Sequence, residues 1–123
     1  MELSRKAHLY WNKVDTLIKN YSIEKPIKSK VIERTFSLAG ATVREIVHYL
    51  RVKKRRPLGM NQSGYFYARN RAELEHTINN LKSRSQKIKR AVQGLEGAFN
   101  PTEQTTIFDF SDNTFKSNYE TGD

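Results

Sequence analysis

The 123-residue chain has no cysteine, only three prolines and no long apolar run. Without cysteine it can form neither a disulfide framework nor a thiolate metal site. The sequence predicts no membrane-spanning helix, because such a helix needs about 20 mostly apolar residues. The opening stretch, MELSRKAHLYW, also lacks the apolar run and small-residue cleavage site of a secretory signal. These absences predict a cytoplasmic protein.

Catalytic motifs are equally scarce. His8, His48 and His76 fall on three different predicted helices and lack the spacing of metal ligands. The sequence contains no phosphate-binding G-x-x-x-x-G-K-S/T, no paired carboxylates at a plausible site and no nucleophile beside a base. We therefore predict a protein that is not an enzyme and that has no catalytic residues, metal or cofactor.

Charge is plentiful and unevenly spread. The formal net charge is +9, while residues 98–123 hold five carboxylates and one lysine, a net of −4. The preceding residues must therefore carry +13 (+9 minus −4). This pattern points to a polyanionic partner. The alternative is a basic domain whose charges are simply solvated, and composition does not decide between the two.

The central stretch predicts two short helices joined by a turn. In helix 41–51 the apolar side chains Val43, Ile46, Val47 and Leu50 recur at i, i+3, i+4 and i+7. Helix 29–36 precedes it, and Gly40 is expected to supply a positive φ in the turn. Two helices joined in this way are typical of a helix-turn-helix, whose second helix enters the major groove. The predicted buried side of the first helix comprises Val31, Ile32, Thr35 and Phe36.

A β-hairpin is predicted directly after these helices. The strands are 57–60 and 65–68, and the turn formers Asn61, Gln62, Ser63 and Gly64 separate them. A hairpin in this position is a wing, here covering residues 59–67. The segment 23–27 could add a short strand that pairs with it.

The predicted DNA contacts come from three places in this stretch. On the recognition helix, Arg44 is the preferred candidate for reading a guanine; the alternative is that it pairs with Glu33 or with a phosphate. The basic segment 51–56 is expected to contact phosphates, and a nuclear-import or membrane-surface patch is the weaker alternative. The full set is Thr42, Arg44, Glu45, His48, Arg51, Lys53, Lys54, Arg55, Arg56, Asn61, Gln62 and Ser63.

Long helices are predicted on both sides. The first covers 3–21, with Trp11 in its core-facing stripe. The second covers 70–96, with Asn70 as N-cap and Glu73 completing a capping-box-like pair. Its apolar residues form a seam interrupted by Ser85: Leu74, Ile78, Leu81, Ile88, Val92 and Leu95. The second half of this helix could pair with a second copy as a homodimer, or fold back on helix 3–21.

The acidic segment 98–123 is predicted to be a flexible tail attached to a 1–97 domain. Its large apolar residues are costly to leave in water, so they are expected to dock somewhere. They could pack back on the domain, or serve as a short linear motif for a partner. The candidate partner-binding residues are Gln104, Ile107, Phe108 and Phe110.

Three stretches carry a family resemblance: SLAGATVREIVHYLR, RPLGMNQSGYFYARN and AELEHTINNLKSR. Together they span 26–95 and resemble small winged-helix proteins of bacteriophage and prophage replication modules. The resemblance implies DNA binding in a bacterial host cell. It also implies a C-terminal pentapeptide, Q-L-S/D-L-F, that enters the bacterial sliding clamp. Gln104, Ile107 and Phe108 match that pentapeptide, and Thr105 departs from it.

The predicted fold is therefore mainly α with a small β-hairpin wing: a winged helix-turn-helix with a long C-terminal helix and a flexible acidic tail. The expected function is DNA binding in phage replication initiation or its control. One alternative is a phage interaction factor that captures or inhibits a host protein, such as the sliding clamp through 104–108. Another is a transcriptional regulator.

Overall fold

The computed structural model describes residues 2–99, which divide into one compact unit ending at Ile78 and another beginning at Asn79. The described chain is mainly helical, with one two-stranded antiparallel hairpin and a long last helix, which confirms the predicted secondary-structure class. The predicted tail and its candidate residues Gln104, Ile107, Phe108 and Phe110 lie outside the described range. The elements are α1 (Arg5–Ile18), α2 (Ser29–Phe36), α3 (Gly40–Val52), β1 (Leu58–Asn61), β2 (Gly64–Tyr67), a 3-10 turn (Arg71–Leu74) and α4 (Glu75–Glu96).

Helix α3 lies at the centre of the first unit because it packs on α1, α2 and β1. The four apolar residues predicted to form its buried stripe are all buried, as expected for side chains that share one face of an α-helix. Other elements complete this core with Ala7, Val14, Ile18, Ile27, Ile32, Leu38, Leu58 and Tyr65. Trp11 packs against the core and is half-buried.

The turn between α2 and α3 differs from the prediction. The left-handed residue is Ser37, with φ of 55°, and Gly40 is the first residue of α3. A helix commonly ends in a left-handed residue just past its last turn, and here that position falls on Ser37. The predicted buried side of α2 is also partly wrong. Ile32 is buried and Phe36 half-buried, whereas Val31 and Thr35 are exposed.

Both edges of the hairpin are closed by partners from elsewhere in the first unit. Met60 pairs with Tyr65 across the hairpin. On the β2 side, Tyr65 forms a bridge with Ile27. The predicted pairing of 23–27 with the hairpin is thus confirmed at Ile27, whereas residues 23–25 form a bend. On the β1 side, the Thr77 hydroxyl accepts from the Met60 amide at 3.0 Å and donates to the Met60 carbonyl at 3.3 Å. The Leu58 carbonyl accepts from Arg51 Nε at 2.9 Å.

The bounds of the flanking elements shift slightly from the predicted ones. Helix α1 is shorter than 3–21 at both ends: the Ser4 side chain caps its first turn, and Lys19 is its C-cap. The Asn70 side chain accepts from the Glu73 amide as predicted, but it caps the 3-10 turn rather than α4 itself. The strands begin and end within one residue of the predicted positions.

A buried carboxylate joins three elements of the first unit. Asp15 on α1 is 1% exposed and accepts from the Tyr67 hydroxyl at 2.5 Å and from Arg56 Nε at 3.1 Å. Lys19 lies 3.7 Å away on the next helical turn. Burying an unpaired carboxylate costs several kcal/mol, so these partners are what make Asp15 tolerable in the core. They also bind β2 and the segment after α3 to α1.

We predict that Tyr67→Phe lowers the free energy of unfolding by about 1.5–3 kcal/mol, the usual worth of a hydrogen bond to a charged group. Chemical denaturation followed by circular dichroism would measure the change. Tyr49→Phe is the matched control, because Tyr49 is also half-buried and packs on Trp11. That variant should change stability by less than about 0.5 kcal/mol.

The same contact gives a signature at alkaline pH. Burial and the Asp15 carboxylate raise the pKa of Tyr67 above its ordinary value. The folded protein therefore holds this proton more tightly than the unfolded chain, whose tyrosines titrate near pH 10. The contribution of this contact to the free energy of unfolding should be complete below about pH 10 and should decline as the pH rises beyond it. If Tyr67→Phe and Tyr49→Phe lowered the free energy of unfolding equally, the stabilising role given to the Tyr67–Asp15 hydrogen bond would be contradicted.

Candidate nucleic-acid interface

The outward face of α3 carries no carboxylate. Its exposed residues are Ala41, Arg44, His48 and Val52, which recur every three or four positions opposite the buried stripe. Thr42 is half-buried beside this face. Arg44 makes no ion pair with any described residue, whereas Glu33 pairs with Lys30 at 3.9 Å and accepts from the Ser29 hydroxyl at 2.9 Å. The alternative prediction that Arg44 pairs with Glu33 is therefore not confirmed, although both side chains approach the same point beside Gly40.

Glu45 does not share the outward face with Arg44. Its two carboxylate oxygens accept from the Ser4 amide and the Ser4 hydroxyl, each at 2.7 Å. Each residue turns a helix by about 100°, and this places Glu45 on the side of α3 that packs on α1. The prediction that Glu45 faces DNA is therefore at odds with its position. Its role here is to hold the start of α1, where Ser4 is the N-cap.

The basic segment 51–56 separates into internal and outward side chains. Arg51 closes the edge of β1, and Arg56 is bonded to buried Asp15, so these two are committed to the fold. Lys54 places its ammonium 4.7 Å from the centre of the Trp11 ring, a cation–π contact. Lys53 and Arg55 are exposed. Sequence alone treated the five cations alike, and the structure leaves two of them fully outward.

The hairpin turn also mixes structural and outward side chains. Asn61 Oδ1 accepts from the Ser63 amide at 2.8 Å, which fixes the turn from within. Gln62 and Ser63 are exposed at its tip. Gly64 has φ of 140°, and a Cβ there would lie 2.3 Å from the Ile27 carbonyl oxygen. The close approach of 27 to 64 thus needs glycine and sets the direction in which the tip leaves the sheet.

Carboxylates near this surface are paired. Residues 22–69 contain eleven lysines and arginines against three glutamates. Glu33 and Glu45 have the partners described above, and Glu24 lies 2.5 Å from Arg69. The hydrogen bond from Arg69 lowers the pKa of Glu24, and a bond from the same guanidinium lowers the pKa of Glu73. Glu24 and Glu73 therefore stay ionised at neutral pH, and the outward charge of this surface is positive.

Sequence reasoning missed Asp15 and Thr77, the two polar residues that are buried within residues 2–99. A signal for Asp15 was present. It lies between Val14 and Ile18 on the core-facing side of a helix, where a charged side chain requires a partner. Thr77 gave no such signal, because the apolar neighbours Leu74 and Ile78 accounted for the helical pattern.

Other kinds of site find no support in the described part of the chain. Within residues 2–99, no group of three or more His, Asp or Glu side chains is placed to hold a metal ion. No helix in that range is long and apolar enough to cross a membrane. Comparison with protein-family models, curated proteins and solved structures found no match to this chain.

The two left-handed residues provide a paired test of this surface. Ser37 and Arg55 have φ of 55° and 56°, and a residue with a Cβ costs about 1–2 kcal/mol in that conformation. Glycine relieves this cost, but a glycine loses more backbone freedom on folding. We therefore expect Ser37→Gly and Arg55→Gly each to raise the free energy of unfolding by about 0.5–1 kcal/mol. Denaturation midpoints would measure it. Only Arg55→Gly should also weaken DNA binding, because Ser37 lies outside the proposed interface.

Proposed function

We propose that this chain is a winged helix-turn-helix protein that binds duplex DNA, with α3 as the recognition helix and the β1–β2 hairpin as the wing. The observation that carries the proposal is the outward face of α3. It presents Arg44 and His48 without a carboxylate, and exposed Lys53 and Arg55 follow it in the chain. A helix of this kind fits the major groove, whose base edges arginine reads best.

The order of elements also supports this proposal. Helices α2 and α3 are joined by the short turn 37–39, and the hairpin follows α3 after five residues, 53–57. The extended residue before α2, Ile27, pairs with the second strand of the hairpin. That pairing ties the hairpin to the start of the two-helix motif, and the hairpin and α3 belong to the same compact unit.

We further propose a role in phage or prophage DNA replication, at initiation or in its control. The support for this step is the resemblance of 26–95 to winged-helix proteins of phage replication modules. The alternative functions, capture of a host protein such as the sliding clamp or transcriptional regulation, receive no specific support from residues 2–99. The clamp-like pentapeptide lies outside that range.

The proposal predicts strong salt dependence. With Arg51 and Arg56 committed to the fold and Arg44 proposed to read a base, about three phosphates remain to be neutralised by Lys53, Lys54 and Arg55. The logarithm of the binding constant should then fall with the logarithm of salt concentration at a slope of about −2 to −3. Fluorescence anisotropy with labelled duplex, at salt concentrations between roughly 50 and 200 mM, would measure it.

Two double variants locate the contact. Lys53→Ala with Arg55→Ala should make the slope shallower by about 2, one for each lost phosphate contact. Arg5→Ala with Lys13→Ala removes the same charge from exposed positions on α1 and should leave the slope nearly unchanged. A slope shallower than about −1 for the wild-type protein, or equal losses in both variants, would refute the proposed interface.

Arg44 tests whether the recognition helix reads bases. We expect Arg44→Ala to relax preference at one base position, at a cost of about 1–3 kcal/mol for the preferred site. Selection from a randomised duplex library before and after the change would show it. His48→Ala changes a residue on the next turn of the same face and is the comparison variant for this selection. A uniform loss of affinity across all sequences would make Arg44 a backbone contact instead.

A further inference from the structure

The second half of α4 exposes an apolar stripe. From Asn79 to Glu96 every residue is exposed, yet large aliphatic side chains recur on one side. Ile88 is 65% exposed and Leu95 is 76% exposed, and Phe99 follows just past the helix at 97%. We define the α4 stripe as Leu81, Ser85, Ile88, Val92 and Leu95. An exposed apolar stripe of this length marks an interaction surface.

The spacing of the stripe specifies what can cover it. Starting at Leu74, the positions alternate in steps of four and three residues to Phe99, which is the heptad pattern of a coiled coil. Ile78, Ser85 and Val92 fall at a positions; Leu81, Ile88 and Leu95 fall at d. Two of the three a residues are β-branched and two of the three d residues are leucine, a composition that favours two parallel strands.

We propose that the α4 stripe is the dimerisation surface of this protein, where a second copy packs as a parallel, in-register coiled coil. Its apolar side chains and Phe99 expose on the order of 600 Å² per copy, against ~800 Å² per partner in a stable interface of ordinary size. The exposed stripe covers little more than two heptads. The pair is therefore expected to be concentration-dependent rather than permanent.

Charge gives this dimer a signature of its own. Lys82 and Lys89 fall at e positions and Arg84 at g. In a parallel pair, the g residue of one helix faces the e residue of the next heptad on the other, so Arg84 meets Lys89 of the second copy. Salt screens this repulsion. Dimerisation should therefore strengthen as salt rises, whereas DNA binding should weaken, so the two proposals stand or fall separately.

Analytical ultracentrifugation of the full chain tests the association. We expect reversible dimers that become a few-fold tighter between about 50 and 500 mM salt. Ile88→Asn with Leu95→Asn should weaken dimerisation at least ~100-fold, because it puts two amides in the seam. Gln86→Asn with Gln93→Asn places the same side chains at outward b positions and should leave the equilibrium nearly unchanged.

Cross-linking tests the orientation, and the absence of native cysteine makes it clean. In the parallel register, the two Val92→Cys thiols face each other within reach of a disulfide. An antiparallel pair centred on Ile88 would separate them by about 12 Å along the axis. Rapid oxidation to a covalent dimer is expected for Val92→Cys, and not for Gln93→Cys, which points outward.

Three results would overturn the proposal. The first is a wild-type chain that stays monomeric at ~0.5 mM, a concentration at which even a submillimolar pair would be visible. The second is dimerisation unaffected by Ile88→Asn with Leu95→Asn, or equal cross-linking of Val92→Cys and Gln93→Cys. The third is a chain that dimerises only after residues 100–123 are deleted. That result would mean that the chain's own acidic segment covers the α4 stripe.

Discussion

The buried carboxylate of Asp15 is the constraint on which the arrangement of the first unit depends. A charge in the core must be paired, and its partners come from the segment after α3 and from β2. Satisfying Asp15 therefore fixes where the chain leaves α3 and where the hairpin ends. The path from α3 through the β1–β2 hairpin thus depends on a buried residue of α1.

This constraint also sorts the basic residues. A run of cations in a sequence suggests a single surface, but the fold needs two of these side chains for itself. Arg56 compensates the buried acid, and Arg51 serves a strand carbonyl. Of the three remaining cations, Lys54 lies over the Trp11 ring, and Lys53 and Arg55 are turned outward between α3 and the hairpin. The net charge of the segment thus overstates the number of charges available to a polyanion.

The sequence predicted those elements whose residues report on their own surroundings. The stripe of α3 and the bounds of α2 follow from local periodicity, and Gly64 marks the hairpin turn by its backbone freedom. The buried side of α2 was harder to predict, because Val31 is apolar like a core residue and yet lies on the exposed side of the helix. The roles of Glu45 and Arg56 depend on Ser4 and Asp15, each 41 residues away, and no local pattern encodes such partners.

The distinction has a physical basis. Helix and strand signals arise from neighbours within a few positions, which a reader of the sequence can see. Where a charged side chain points, by contrast, depends on which distant group it pairs with. That is why the helix and the hairpin of this stretch could be predicted from the sequence, while the contacts of its individual charged side chains had to be reassigned.

The Thr77 hydroxyl and Ile27 occupy the two edges of the hairpin, and this affects how the protein behaves in concentrated solution. A two-stranded hairpin has two open edges, and each is a template on which another chain can add a strand. Here the outward amide and carbonyl of Met60 are both occupied by one hydroxyl, and those of Tyr65 by a single backbone neighbour. The sheet therefore cannot grow at this pair of residues, and the small β element is protected against the edge-to-edge stacking that leads to fibrils.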